Sequence, residues 1–219
     1  MVLHYITVAT KPHPILENIQ KQVNANKEKI EILGSEENRY IGWHGNGNFG
    51  IKLREVHDYI FRDEIEETDI ILFTDAYDVI YSGNLEEIEN KYRKFEKPIV
   101  FGGETECNPL PILKARYPNE EEKFRYLNSG MFIGTVESLR KCMEGYVYDD
   151  RHDDQLFWTY RYLERDLIEI DYKNEIFLNT HGLEIEDIKW NRIGTYYNGK
   201  RPNFIHVNGP DKADLNKFL

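Results

Sequence analysis

Residues 68–83 read TDIILFTDAYDVIYSG, and the four unbroken apolar residues Ile70-Ile71-Leu72-Phe73 restrict the fold more than any other stretch. A run without polar alternation suits a strand covered on both faces, as in a parallel sheet clad by helices. Asp75 and Asp78 follow it at once. A carboxylate at the margin of a core is costly unless a partner or an ion compensates it, so the end of this strand is expected to bind something.

The rest of the chain alternates as such a sheet requires. Strands are predicted over 4–9, 29–33, 69–74, 98–104, 167–171 and 204–207, with a further strand over 124–135 interrupted by Asn128-Ser129-Gly130. Helices are predicted from Pro14 onward with Ile15, Ile19 and Val23 on one face, over about 52–64 with Leu53, Val56 and Ile60 aligned, over 84–95 with Leu85, Ile88, Tyr92 and Phe95, and over 138–143 and 154–163. The stretch HGNGNFG (44–50) is a turn or a ligand contact, and it matches neither the Walker A nor the dinucleotide pattern. Strand-helix alternation without repeats or linkers predicts one α/β domain over residues 1–219, a length that supports one full core.

A net charge of −11 argues against a nucleic-acid backbone or an anionic membrane as partner, since either rewards a basic face. An anionic ligand would therefore need local cations or a metal. Cys107 and Cys142, the only two cysteines, lack zinc-site spacing and read as ordinary thiols. The first residues, MVLHYITVAT, carry no basic region and no cleavage site, and no apolar run nears roughly 18 residues, so neither a secretion signal nor a transmembrane segment is expected.

In open α/β sheets ligands collect beyond the carboxyl ends of the parallel strands, where Asp75 and Asp78 fall. The stretch NFIHVNGPDK (203–212) offers His206, and two carboxylates with one imidazole form a mixed donor set that suits Mn²⁺ better than Mg²⁺ or Ca²⁺. Lys212 beside a metal makes sense if an anion such as a diphosphate bridges them, with backbone N–H groups of the Asn208-Gly209 turn as further donors. In YDDRHDDQLF (148–157) the aspartates exceed what helix capping needs, so Asp153 or Asp154 is expected to hydrogen-bond sugar hydroxyls or take a proton from an acceptor. Each feature also has a plain reading: a turn cap for Asp75, a solvated Asp78, a packed strand histidine, a surface lysine.

Taken together and in this order, FTDAYDVI (73–80), YLNSGMFIG (126–134), DDRHDDQLF (149–157) and HVNGPDK (206–212) resemble the glycosyltransferase domain of the procollagen lysyl hydroxylases and related collagen glycosyltransferases. The resemblance runs over essentially the whole chain. It implies a GT-A type, Rossmann-like domain with a mixed, mostly parallel sheet flanked by helices, using a UDP-sugar and Mn²⁺. It further implies Asp75, Asp78 and His206 as metal ligands, Tyr77 against the uracil, Asn208, Gly209 and Lys212 at the diphosphate, Lys52 near the nucleotide, Trp43 by the ribose, and Asp153 and Asp154 in a segment tied to activity. Two departures stand out: Cys107-Asn108 replaces the family's Cys-Trp, and Arg151-His152 breaks its aspartate run.

The expected reaction is hexosyl transfer from UDP-glucose, or next UDP-galactose, to galactosylhydroxylysine or hydroxylysine in a collagen-like acceptor. Competing expectations are a domain that binds UDP-sugar or glycan without turnover, and a metal-dependent sugar nucleotidyltransferase, which the ATKPHP after the first strand fits poorly. No hydroxylase domain follows, so a stand-alone module is expected. The Asn-, Ile- and Lys-rich composition would suit an AT-rich genome such as a giant virus, with a cytoplasmic or viral-factory location.

Overall fold

The computed structural model describes residues 1–42, 47–191 and 193–219. The first strand, β1 (Leu3–Val8), leads into α1 (Pro14–Ala25), which starts where expected because Pro14 takes the first helical position and the His13 imidazole accepts the Ile15 N–H at 3.2 Å. β2 (Glu31–Leu33) and α2 (Gly50–Ile60) follow, and then the apolar run forms β3 (Ile70–Asp75), with Ile70 through Phe73 at most 2% exposed. After β4 (Val79–Tyr81), Asn84 caps α3 (Leu85–Tyr92) by accepting the Glu87 N–H at 2.8 Å. The order continues with β5 (Ile99–Glu104), β6 (Tyr126–Thr135), α4 (Val136–Met143), α5 (Asp154–Glu164), β7 (Ile168–Asp171), β8 (Phe177–Asn179), β9 (Lys189–Asn191), β10 (Gly194–Tyr196) and β11 (Phe204–His206).

The six-stranded sheet has the order β2-β1-β3-β6-β5-β7. β1 pairs in parallel with β2 and β3, and β5 with β7, while β6 runs antiparallel to both β3 and β5. Alternate side chains of β3 feed two cores, one on each face. Ile71 and Phe73 join Leu53, Val56, Leu139 and Trp158 beneath α2, α4 and α5, whereas Ile70 and Leu72 join Ile19, Val23, Ile88 and Tyr92 beneath α1 and α3.

Three sequence expectations need correction. α2 ends at Ile60 and α3 at Tyr92, each short of its predicted end. The stretch Asn128-Ser129-Gly130 does not interrupt β6, whose ten residues are continuous. The irregularity lies in its pairing with β5, where the register shifts between Phe101, opposite Phe132, and Gly102, opposite Asn128. Among the described residues, no helix is long and apolar enough to cross a membrane.

β4, β8 and β11 were not all foreseen. They form a separate three-stranded sheet, β4-β11-β8, in which β11 runs antiparallel to β4 and parallel to β8. This small sheet positions the site.

Candidate active site

Asp75 ends β3 opposite Val8 of β1, and Asp78 lies in the turn to β4, where its carbonyl accepts the Val207 N–H at 2.9 Å. Because His206 pairs with Val79, the antiparallel register brings the imidazole beside the turn. Its Nε2 lies 3.3 Å from Asp78 Oδ1 and 3.8 Å from Asp75 Oδ2. One ligand atom from each of Asp75, Asp78 and His206 falls within 4.8 Å of the other two, close enough to share one metal ion.

The His206 ring is oriented from behind. Asn179 Nδ2 donates to the Gly103 carbonyl at 2.9 Å, which turns its Oδ1 toward His206 Nδ1 at 2.7 Å. That hydrogen bond puts the ring proton on Nδ1 and leaves the Nε2 lone pair facing the carboxylates, the arrangement a metal-ligating histidine needs. Gly130 makes room: a Cβ there would lie 2.4 Å from His206 Cε1 and 2.9 Å from Asp75 Oδ2.

The acids are already held by cations. Lys52 Nζ stands 3.0 Å from Asp75 Oδ1 and 2.7 Å from Asp154 Oδ2, and Lys212 Nζ is 2.6 Å from both Asp78 Oδ2 and the Val207 carbonyl. Burial opposes the charge of Lys52, yet Asp154 and Asp75 outweigh it and raise the ammonium's pKa. For Asp75, burial with the nearby charges of Asp78 and Asp154 prevails over Lys52 and His206 and lifts its pKa. At Asp78 burial is overcome by His206 and Lys212, which hold the carboxyl below the usual range.

The aspartates of residues 149–154 divide their work. Asp149 pairs with Arg151 at 3.0 Å, and Asp150 accepts from both terminal nitrogens of the Arg39 guanidinium at 2.9 Å. Asp153 caps α5 by accepting the Leu156 N–H at 2.8 Å, and burial raises its pKa. Only Asp154 enters the charged cluster, where Ser129 Oγ also donates to it at 2.8 Å. Both Asp153 and Asp154 nevertheless line the cleft.

That cleft has a volume of about 760 Å³ and holds most of the residues singled out from sequence: Lys52, Asp75, Tyr77, Asp78, His206, Asn208, Gly209 and Lys212. The Tyr77 hydroxyl accepts the N–H groups of Thr10 and Lys11 at 2.9 and 3.0 Å, which fixes its ring at the β1 end of the cleft, 5.0 Å from the His13 ring. Gly209 adopts φ +90°, a conformation that favours glycine and turns the chain after β11. Trp43 and residues 44–46 of the 44–50 loop lie outside the described residues, and Gly50 begins α2.

Sequence reasoning missed Glu104. It ends β5, is 2% exposed, and accepts from Gln155 Nε2 at 2.6 Å and Asn208 Nδ2 at 3.0 Å. Burial pushes its pKa up to about 7 against the hydrogen bonds of Gln155 and Asn128. An apolar strand ending in an acid, VFGGE, repeats the pattern of β3 and was the available signal. Asn179 and Gly130 left none, because their roles exist only after β8, β11 and β6 come together.

Comparisons with known proteins identify the family. The family model described as the PLOD GT domain matches residues 1–219. The chain is 33% identical to a multifunctional procollagen lysine hydroxylase and glycosyltransferase of Caenorhabditis elegans, over 96% of this chain and 31% of that protein. It is 36% identical to an uncharacterized protein of Acanthamoeba polyphaga mimivirus, over 90% of this chain and 44% of that one. It thus spans less than half the length of these relatives. In fold it is similar to a crystal structure of a glycosyltransferase involved in the glycosylation of the major capsid of PBCV-1, with a TM-score of 0.53 and 10% identity over 99% of this chain and 98% of that one.

Proposed function

Because the chain belongs to the PLOD GT domain family, we propose that it is a Mn²⁺-dependent glycosyltransferase that moves a hexose from a UDP-sugar to a collagen-type acceptor. UDP-glucose with galactosylhydroxylysine is the preferred pair, and UDP-galactose with hydroxylysine the next. Residues 1–219 act in this reading as one GT-A domain.

The observation that carries the proposal is the convergence of Asp75, Asp78 and His206 within 4.8 Å. The residues fit the ion: two carboxylates and an imidazole suit Mn²⁺, the Asn179 hydrogen bond leaves Nε2 free to ligate, and Gly130 keeps the pocket open. Bound there, Mn²⁺ would supply positive charge to the two phosphates of the departing UDP.

The chain's own groups complete the work. Lys212, which now neutralises Asp78, is placed to turn to the diphosphate, and the Asn208-Gly209 turn adds N–H donors. The pinned ring of Tyr77 offers a face to the uracil and Trp43 is assigned to the ribose. Lys52 pairs with Asp154 on the side assigned to the donor sugar, and Asp153 fixes the start of α5 beside it. The carboxylates serve as a socket and not as nucleophiles.

The test is UDP release from a panel of UDP-sugars with and without Mn²⁺, using EDTA and D75A/D78A as controls. Release from one donor that is lost in both controls supports the proposal and names the sugar. Binding of UDP-sugar without release or transfer, even with galactosylhydroxylysine peptides present, would leave a binding module instead.

A further inference from the structure

Each carboxylate assigned to the ion already carries a lysine, and the two lysines are held in different ways. Lys52 reaches both oxygens of Asp75, at 3.0 and 3.4 Å, and Asp154 Oδ2 at 2.7 Å. Its side chain is only 10% exposed, so moving it would strand buried acids, and this cation is fixed. The Lys212 side chain is 42% exposed. It stands on an exposed segment after the turn at Gly209, and its acceptors are Asp78 Oδ2 and the Val207 carbonyl, both at 2.6 Å. An ion pair open to water on its lysine side is weak, so this ammonium can change partners at little cost.

The Asp78 carboxylate is divided between two directions. Its Oδ1 lies 3.3 Å from His206 Nε2, on the side where the three ligand atoms converge, while Oδ2 is taken by Lys212. A cation entering that convergence therefore meets an ammonium on the other oxygen of the same carboxylate, and the two repel. In formal charge, the acids Asp75, Asp78 and Asp154 face Lys52 and Lys212, which leaves one net negative charge. With Lys212 withdrawn there are two, matching a divalent ion.

From this geometry, and resting on the transferase reading above, we infer that Lys212 is a displaceable counter-ion: it lowers the affinity of the empty site for a divalent metal and lifts that restraint when a nucleoside diphosphate arrives. Lys212 and the Asn208-Gly209 turn line the same cleft, so a diphosphate bound there offers the ammonium an anionic partner in place of Asp78. Ion and nucleotide then favour each other by more than their direct contact, and linkage makes the coupling reciprocal. Lys52, pinned by Asp75 and Asp154, gives no such release. Without donor, the acids resist being filled by a stray ion.

The test compares wild type, K212M and K212R. Mn²⁺ binding is titrated by electron paramagnetic resonance with and without saturating UDP, and UDP binding is followed by calorimetry with and without Mn²⁺. Without UDP, K212M is expected to bind Mn²⁺ about five- to tenfold more tightly than wild type, with K212R close to wild type. A gain in affinity cannot come from a damaged fold. The increase in Mn²⁺ affinity that UDP brings should shrink in K212M by a similar factor, and raised salt should narrow the difference between K212M and wild type. K212M binding Mn²⁺ no more tightly than wild type in the absence of UDP would overturn the inference while leaving the metal site in place. A wild-type chain that binds neither Mn²⁺ nor UDP would instead sink the transferase reading itself, and this inference with it.

Discussion

The Lys52 ammonium lies 2.7 Å from the Asp154 carboxylate, and the two side chains are only 10% and 8% exposed. The same ammonium reaches Asp75 at 3.0 Å, so one buried cation serves two acids from different elements. Breaking such a pair strands a charge, whereas replacing both partners with apolar groups often restores stability. K52M is expected to lower unfolding stability by about 3–5 kcal/mol, and K52M/D154L to recover much of that loss. Denaturant titration at neutral pH, with the slope compared among variants, checks both.

Asn179 controls the face that His206 presents. N179A removes the acceptor that fixes the ring proton on Nδ1 and leaves the main contacts of β8 in place. Mn²⁺ affinity is expected to fall about 10–100-fold, the usual effect of losing an outer partner of a ligating histidine. Electron paramagnetic resonance titration of Mn²⁺ reads this directly, and affinity equal to wild type would show that the ring is oriented by other contacts.

Gly130 is a question of space. Its Cβ would fall 2.4 Å from His206 Cε1, so G130A must displace the imidazole or the strand beneath it. The expected cost is about 1–3 kcal/mol in stability, as for other overpacked sites, together with a loss of metal affinity. Thermal unfolding with and without Mn²⁺ separates the effects: the variant's melting temperature should respond far less to the ion than that of wild type.

Glu104 sets a pH dependence. Its folded pKa of about 7 lies above the ordinary carboxyl value because burial disfavours the ionised form. A raised acid contributes stability that is fully present below the unfolded pKa and is lost as pH rises through the folded one. Relative to E104Q, wild type should therefore lose up to about 3 kcal/mol between pH 4 and pH 8. Denaturation of the two proteins across that range gives the difference, and carbon NMR of the carboxyl gives its midpoint.

Much of the main sheet was legible because its signals are local. The unbroken run before Asp75 marks a doubly covered strand, Pro14 and Asn84 mark helix starts, and the spacing of Ile19 with Val23 marks a buried face. The small sheet was harder to read. β4, β8 and β11 have three residues each, too few for a periodic pattern, and their identity comes from pairing across distant parts of the chain. The same reason hid Asn179 and Gly130, whose contacts with His206 are tertiary. The cluster of Asp75, Asp78 and His206 was anticipated because charged residues at strand ends declare themselves one by one. The division of labour among Asp149, Asp150, Asp153 and Asp154 was not, since it depends on Arg39 and Lys52 arriving from elsewhere.

The antiparallel pairing of β11 with β4 has a bearing on how the protein matures. Asp78 is made before His206, with more than half of residues 1–219 between them. The two become neighbours only when β11 docks against β4 and β8, after all six strands of the main sheet have been made. Ion affinity is thus a property of the finished fold, absent from any shorter nascent intermediate. By linkage, an ion held by Asp75, Asp78 and His206 pulls the docking equilibrium of that last strand toward closure. Manganese supply would then govern how firmly the C-terminal strand stays seated, and the ion would act as a latch on assembly as well as a participant in transfer.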